Sequence, residues 1–480
     1  MSGVTPVLDS QWRVLSERQI DQIHEATLHI LGPDGCGVAF KSEAVLSLLK
    51  KHGASVDGEI VRFPSKMVEQ AIELSPTEVT LAARNPQRDV VLGHGNIHYT
   101  SGFGPTDVLD LDDGHLRPAT KSDLERFAIL ADALDNVHYC LLNVHPQDVP
   151  QDLLDVVGAA VYFKTTDKHV HVSQNDARNT DVILEMARIA AEEAGVTGPI
   201  CSMGGCPTSP LVYMPEVCDK FLAAIPRGVP FLIVSGAMAG GTAPVTLAGT
   251  LVVQNAEVLA GVVLAQMIKP GAPVVYGSFA SNMDMRRGTF VLGGPELALL
   301  NAATAQLCRH YGIPFGYGSA GFADSRQPGI QAAVEKASTI LAAALSGVEV
   351  LHSAVGGLLA SAAVVDYAQM MIDDEIASLV NRYIAGIAVT TETLATSLVE
   401  RIGPGGTFLD TLETAQLFRR EHFIPKILER GGPSTENEDI YARARERAQR
   451  ILSTHVPPKL SEAAVREIDL LLFKAMQNHR

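Results

Sequence analysis

The apolar positions of this chain change period along its length, and each change marks a boundary. Up to about residue 93 they recur at helical spacing in short runs. Ser16-Glu-Arg-Gln opens the first helix with the spacing of a capping box, Ser16 to Gln19, ahead of a stripe through Ile20, Ile23, His24, Thr27, Leu28 and Leu31. Ser42 and Ser65 start a second and a third helix, and Gly53, Gly58 and Pro64 punctuate them. The pattern predicts a mainly helical N-terminal extension, residues 1–93, that packs on something larger.

From about residue 96 a three-part rhythm takes over: a short β-branched run, a loop rich in Gly, Ser and Pro, then a long apolar-periodic helix. It repeats eight times, with strands near residues 97, 138, 170, 200, 231, 274, 314 and 350. Helices follow from about Ser122, Gln151, Thr180, Pro215, Thr246, Pro295, Gln331 and Tyr367. Strands alternating with helices imply parallel βαβ units. Eight units across residues 94–388 suit a closed (β/α)8 TIM barrel, an α/β fold of typically about 250 residues. An open doubly wound sheet is the alternative, but its dinucleotide fingerprint fails: after Gly102-Phe-Gly104, Asp107 stands where a third glycine is needed. Beyond residue 389 the rhythm stops. Charged helices over 436–452 and 461–478, with loops at Pro404-Gly-Gly, Gly431-Gly-Pro and Pro457-Pro, predict a C-terminal helical segment, 389–480, packed on the barrel.

Composition narrows the partners. With 46% hydrophobic and 19% charged residues, the 480-residue chain has the balance of a globular protein. A net charge of -16 argues against nucleic acid, which wants a basic face. Six scattered cysteines, with no C-x-x-C pair, do not make a disulfide framework. The first residues show no basic segment followed by an apolar core, so no signal peptide is expected and the cytoplasm is the default compartment. The most apolar stretch, Val245 to Ile268, is interrupted by Gln254, Asn255, Glu257 and Gln266, and is expected to be a buried helix rather than a membrane span. A small-molecule substrate fits this composition, and a homo-oligomer is compatible with it.

In a barrel, chemistry is sought in the loops that follow the strands. Those after strands five to eight are unusually rich in small residues. Gly236, Gly240, Gly241, Gly277, Ser278, Gly318, Gly356 and Gly357 suggest a broad surface where a large flat cofactor approaches backbone, with tight turns as the plain alternative. Polar groups there are few: Asn143, His145, Gln174, Asn175, Asp284, Asp324, Gln331, Glu335 and His352. His352, at the end of strand eight, Glu335, one turn into a helix, and Asp324, in a loop, are the catalytic candidates. His169 and His171 share one strand face but have no third ligand at useful spacing, so no metal site is expected. Neither a G-x-S-x-G elbow nor a phosphate-binding G-x-x-x-x-G-K-[ST] loop is present.

Three runs then stand out: Met238-Ala-Gly-Gly-Thr-Ala-Pro-Val-Thr-Leu-Ala-Gly, Asn255-Ala-Glu-Val-Leu-Ala-Gly and Pro270-Gly-Ala-Pro-Val-Val-Tyr-Gly. With Ala323-Asp-Ser-Arg and Gln331-Ala-Ala-Val-Glu they resemble the trimethylamine methyltransferase (MttB-like) family, over roughly residues 10–475 and most specifically over 238–335. The resemblance implies a (β/α)8 barrel that moves a methyl group from a methylated amine to the cobalt of a corrinoid (cobalamin-type) cofactor carried on a separate small protein. Trimethylamine enzymes of this family carry pyrrolysine; this chain has only standard residues and so looks like the branch that includes glycine betaine methyltransferases. A quaternary ammonium donor suits that branch, because its nitrogen is already positive and leaves as a neutral amine. Trp12 is the only tryptophan, so a dense aromatic cage is not visible, but Tyr99, Phe103, Phe279, Tyr317 and Phe322 can supply a partial one, with Gln331 as a polar contact. Two other readings stay open: a barrel lyase or hydrolase using His352 with Asp324 or Glu335, and a non-catalytic corrinoid-binding module.

Overall fold

The computed structural model describes residues 5–6, 11–173, 176–431 and 439–478. Eight parallel strands form the centre: β1 (Asn96–Tyr99), β2 (Tyr139–Cys140), β3 (His169–His171), β4 (Cys201–Gly205), β5 (Phe231–Ser235), β6 (Val274–Ser278), β7 (Phe315–Ser319) and β8 (Val350–His352). Each pairs with the next, β8 pairs with β1, and a parallel bridge between Thr100 and Tyr139 joins β1 to β2. The ring therefore closes, which excludes the open sheet. Helices α1 (Lys121–Ala133), α2 (Leu154–Thr165), α3 (Thr180–Glu193), α4 (Pro215–Ala224), α5 (Leu247–Ile268), α6 (Pro295–Tyr311), α7 (Ile330–Leu345) and α8 (Tyr367–Ile384) follow the strands in turn.

Helix α5 is long and apolar enough to cross a membrane, yet most of it is buried within the fold. Its four polar interruptions explain why it belongs there. Gln254 bonds Thr304 and Ser278; Asn255 bonds Thr27 and Tyr311. Glu257 accepts from Ser209, Ser235 and the Leu211 amide, and Gln266 bonds Ser75 and the Gly271 amide. Buried polar groups need such partners, and a core position supplies them.

The extension departs from the helical expectation. Helices at Glu17–Leu31, Glu43–Lys51 and Ser65–Leu74 are present, and Ser16 and Gln19 form the reciprocal capping box. Between and after them lie short strands as well. Val38–Phe40, Ser55–Asp57 and Ile60–Arg62 form a small sheet that also takes in Val212–Tyr213. Val79–Leu81 and Val90–Leu92 form a hairpin whose Val79, Leu81, Val90 and Leu92 pack inside the barrel against Tyr139, Leu232, Val275 and Val350. The hairpin plugs the end at which the strands begin. Strands of three residues are too short for a two-residue period to register in sequence. At the other terminus, helices Ile440–Thr454 and Glu462–Asn478 lie against α8 and α1, and against α3 and α2, respectively.

Candidate active site

Above the plug the barrel interior is not completely closed off. Gly204 on β4 and Val234 on β5 face inward yet keep part of their surface accessible, as do Gly236, Phe103 and Phe279 higher up. Gly277 makes this level compact: a Cβ there would stand 2.6 Å from Val234 Cγ2 and 3.0 Å from Tyr317 Cβ. Cys206, two residues beyond Gly204, is exposed. Among the described residues no group of three His, Cys, Asp or Glu side chains is placed to hold a metal ion.

His352 ends β8 and is buried inside the barrel, its ring stacked on Tyr317 with centroids 3.4 Å apart. Ser353 beside it adopts φ 64°, the left-handed region that a non-glycine residue enters at a cost. Two bonds to the β1 end hold it there: its amide donates to Thr100 Oγ1 at 2.8 Å and its hydroxyl to the Gly102 carbonyl at 2.5 Å. That hydroxyl has one proton, already given to a carbonyl, so the 2.8 Å contact between Ser353 Oγ and His352 Nδ1 is an Nδ1–H donation. Burial, and secondarily His171, push the His352 pKa well below 6.5. His352 is thus a neutral imidazole whose lone pair sits on Nε2, and Nε2 is buried without a hydrogen-bond partner.

Three phenylalanines from three loops meet at this mouth. Phe103 stacks on Phe279 at 5.0 Å, Phe322 meets both edge-on at 5.3 and 5.5 Å, and Phe290 extends the group at 5.3 Å from Phe279. Of the aromatic residues expected from sequence, Phe103, Phe279 and Phe322 pack together and Tyr317 stacks on His352, while Tyr99 stands apart. Its ring lies outside the barrel, where the hydroxyl donates to Asn381 Oδ1 on α8 at 2.8 Å.

The two candidate carboxylates are placed differently from expectation. Asp324 accepts from the Leu292 and Gly293 amides, each at 2.9 Å, and from Ser361 Oγ at 2.7 Å. Glu335 accepts from the amides of Asp324 at 2.8 Å and Ser325 at 3.1 Å, and from Gln331 at 2.7 Å. Neither has His352 among its partners. They clamp the loops after β6, β7 and β8 to one another, and Gln331 is an exposed member of that clamp.

The small residues expected to form one cofactor surface serve separate purposes. Ser278 points out of the barrel to Gln254 on α5. Gly318 also points outward, where a Cβ would stand 2.3 Å from Val348 Cγ1. Gly356 packs on the Ser353 carbonyl, and Gly357, at φ 71°, on that of Asp366. Gly240 and Gly241 lie among Met238, Met283 and Met285 in a small sheet over the mouth, where Asp284 caps a turn. Gly236 keeps accessible surface beside Phe279, whereas Gly277 is buried against Val234 and Tyr317. Asn143 bonds Tyr162 on α2, and His145 packs over Gly104. Gln174 and Asn175 lie outside the described residues.

The barrel interior carries other neutral histidines. Burial pushes His98 and His169 down to about 4 and His171 down to about 3. An unfolded histidine takes up a proton near pH 6.5 and these do not, so each withdraws stability as the pH falls below 6.5. Buried Glu257, Glu349, Asp366 and Asp373, whose pKa values are raised, act in the opposite sense. The histidine contribution is isolated by substitution. Relative to the parent, His98→Gln is expected to gain about 2 kcal/mol between pH 7.5 and pH 5, by denaturant titration. A difference that stays constant across that range would show that His98 titrates normally.

A closed barrel of eight parallel strands, each followed by a helix, with phenylalanines and an uncharged imidazole at its C-terminal strand ends, defines a (β/α)8-barrel protein. The chain belongs to the trimethylamine methyltransferase (MTTB) family, whose profile matches residues 5–477. It is 36% identical over 457 residues to the glycine betaine methyltransferase of Desulfitobacterium hafniense, covering 94% of each chain. It is 33% identical over 454 residues to that species' trimethylamine methyltransferase MttB, covering 93% of this chain and 90% of the relative. The Methanosarcina barkeri MttB is 32% identical over 488 residues, with 99% and 97% covered. Among solved structures, the Methanosarcina barkeri monomethylamine methyltransferase (MtmB) superposes with a TM-score of 0.55 at 12% identity, over 93% of this chain and 89% of that one, a likeness of fold. The protein is a methyltransferase.

Sequence reasoning missed the partners that set the state of the site. Ser353 carries no signal at all, since nothing in a serine codon position announces a left-handed backbone. His169 and His171 are visible in the sequence as a pair on one strand face, but there they are weighed only as a metal site and set aside.

Proposed function

We propose that this methyltransferase takes a methyl group from a quaternary ammonium compound of the glycine betaine type and delivers it to cobalt(I) of a corrinoid on a separate carrier protein, in the cytoplasm. The observation that carries the reading is the uncharged character of the strand ends: Phe103, Phe279 and Phe322 pack together there, and His352, stacked on Tyr317, is a neutral imidazole. Aromatic faces and a lone pair suit a cation spread over N-methyl groups. They also bind it moderately, which matters because the positive charge on nitrogen disappears in the transition state. When the donor is bound, cobalt supplies the electron pair for the new bond to carbon, and the carbon–nitrogen pair stays with nitrogen, giving a neutral tertiary amine. No proton is moved, so the chain's task is alignment. Phe103 and Phe279 hold the head group, Tyr317 fixes the His352 ring, and the rim at Gly236, Gly240 and Gly241 leaves space for the acceptor. In this reading the core over 94–388 carries the chemistry, while 1–93 and 389–480 brace it.

The test is incubation with cobalt(I) cobalamin and a panel of glycine betaine, other quaternary amines and trimethylamine, following methylcobalamin by its visible spectrum. Formation from a quaternary amine and none from trimethylamine is expected. Transfer from trimethylamine, with none from the quaternary amines, overturns the reading.

A further inference from the structure

A second imidazole is set in the same state as His352 by a longer chain of bonds. His169 Nδ1 lies 2.8 Å from the Ala82 carbonyl, which can only accept, so the His169 proton is on Nδ1. Its Nε2 therefore carries a lone pair, and at 2.9 Å it accepts from Ser202 Oγ. Having spent its proton there, Ser202 Oγ accepts from His171 Nδ1 at 3.0 Å. The direction of every bond follows from the first, and the result is His171 with its lone pair on Nε2. The His171 ring lies beside Gly204, where an added Cβ would stand 3.4 Å from His171 Cε1, and Gly204 is only partly buried. His171 is also near enough to His352 to disfavour a charge on it.

We propose that His171 is a second contact for the cationic head group, and that Ser202 and His169 are positioning residues that hold its acceptor edge ready. The inference deepens the quaternary-amine reading and rests on it for the identity of the donor. Two neutral lone-pair acceptors match a group whose polarised C–H bonds point outward on every side. They offer nothing to an anion. Ser202 differs from a packing residue in one testable way: losing its hydroxyl frees His171 to move its proton to Nε2, which turns the acceptor edge into a donor.

The parent protein, labelled with nitrogen-15 in histidine, provides a test independent of folding defects. On addition of tetramethylammonium, the bare head group, the unprotonated Nε2 signals of two histidines should move. Movement of one signal or of none overturns the proposal. Two variants then assign the effect. His171→Leu and Ser202→Ala should each raise the donor KM about tenfold while kcat stays within about twofold. Ser202→Ala should in addition move the His171 Nε2 signal into the protonated range. An unchanged KM in a folded His171→Leu protein overturns the proposal as well. The head-group experiment does not depend on turnover. If the parent transfers no methyl from any quaternary amine but tetramethylammonium still moves both signals, the donor reading falls and the two-histidine site stands.

Discussion

Asp373→Ala is expected to destabilise the folded protein by about 3–5 kcal/mol, because it strands a charge in the interior. Asp373 on α8 and Lys336 on α7 are both completely buried and pair at 3.0 Å. Lys336 also donates to the Gly321 carbonyl, while Asp373 accepts from the Gly357 amide at 2.7 Å and from Gln369 at 2.9 Å. The pair thus ties the loop after β7 to the loop after β8. Without the carboxylate, the Lys336 ammonium keeps a single carbonyl partner and the Gly357 amide loses its own. Replacing both charges, in Lys336→Met with Asp373→Leu, should recover most of the loss, since the buried charge then goes with its partner. The check is the denaturant midpoint at constant m-value. A loss below about 1 kcal/mol for Asp373→Ala would mean that solvent reaches Lys336. The same tie bears on activity, since the two loops carry Phe322 and follow His352.

The second large effect concerns the chemistry. His352→Gln is expected to lower kcat/KM for methyl transfer at least about tenfold, about 1.4 kcal/mol at the barrier. Glutamine cannot reproduce the ring stacked on Tyr317 or the lone pair that the Ser353 contact leaves on Nε2. A packing role alone predicts a change in stability with full transfer in the folded fraction. Full activity in a well-folded His352→Gln protein would therefore remove His352 from the site and leave the phenylalanines to hold the donor.

Much of this architecture was legible because periodicity is a local property. All eight strand positions lie within two residues of those read from sequence, and the helices start close to where their caps and first apolar positions put them. The interrupted apolar stretch at 245–268 was rightly read as a core helix, since a membrane offers no partners to Gln254, Asn255, Glu257 and Gln266. The aromatic residues of the mouth were identifiable because few aromatics occur in those loops. The phase of each strand was not legible. Tyr99 turns out and Tyr317 turns in, and neither choice follows from composition.

The sequence by itself determined the succession of elements and the closed barrel they imply, because hydrophobic period and turn residues act over a few neighbours. Tertiary structure alone decided which side chains face the barrel interior and in what protonation state. The register skips a residue between β6 and β7, with Tyr276 opposite Phe315 and Gly277 opposite Tyr317. Such a one-residue slip moves every later side chain to the other face, which puts Tyr317 inside and Gly318 outside. The tautomers of His352 and His171 depend in the same way on partners far along the chain: Gly102 through Ser353, and Ala82 through His169 and Ser202. A proton's position on an imidazole is set by which carbonyl or hydroxyl lies within about 3 Å, and only closure of the barrel brings those groups together.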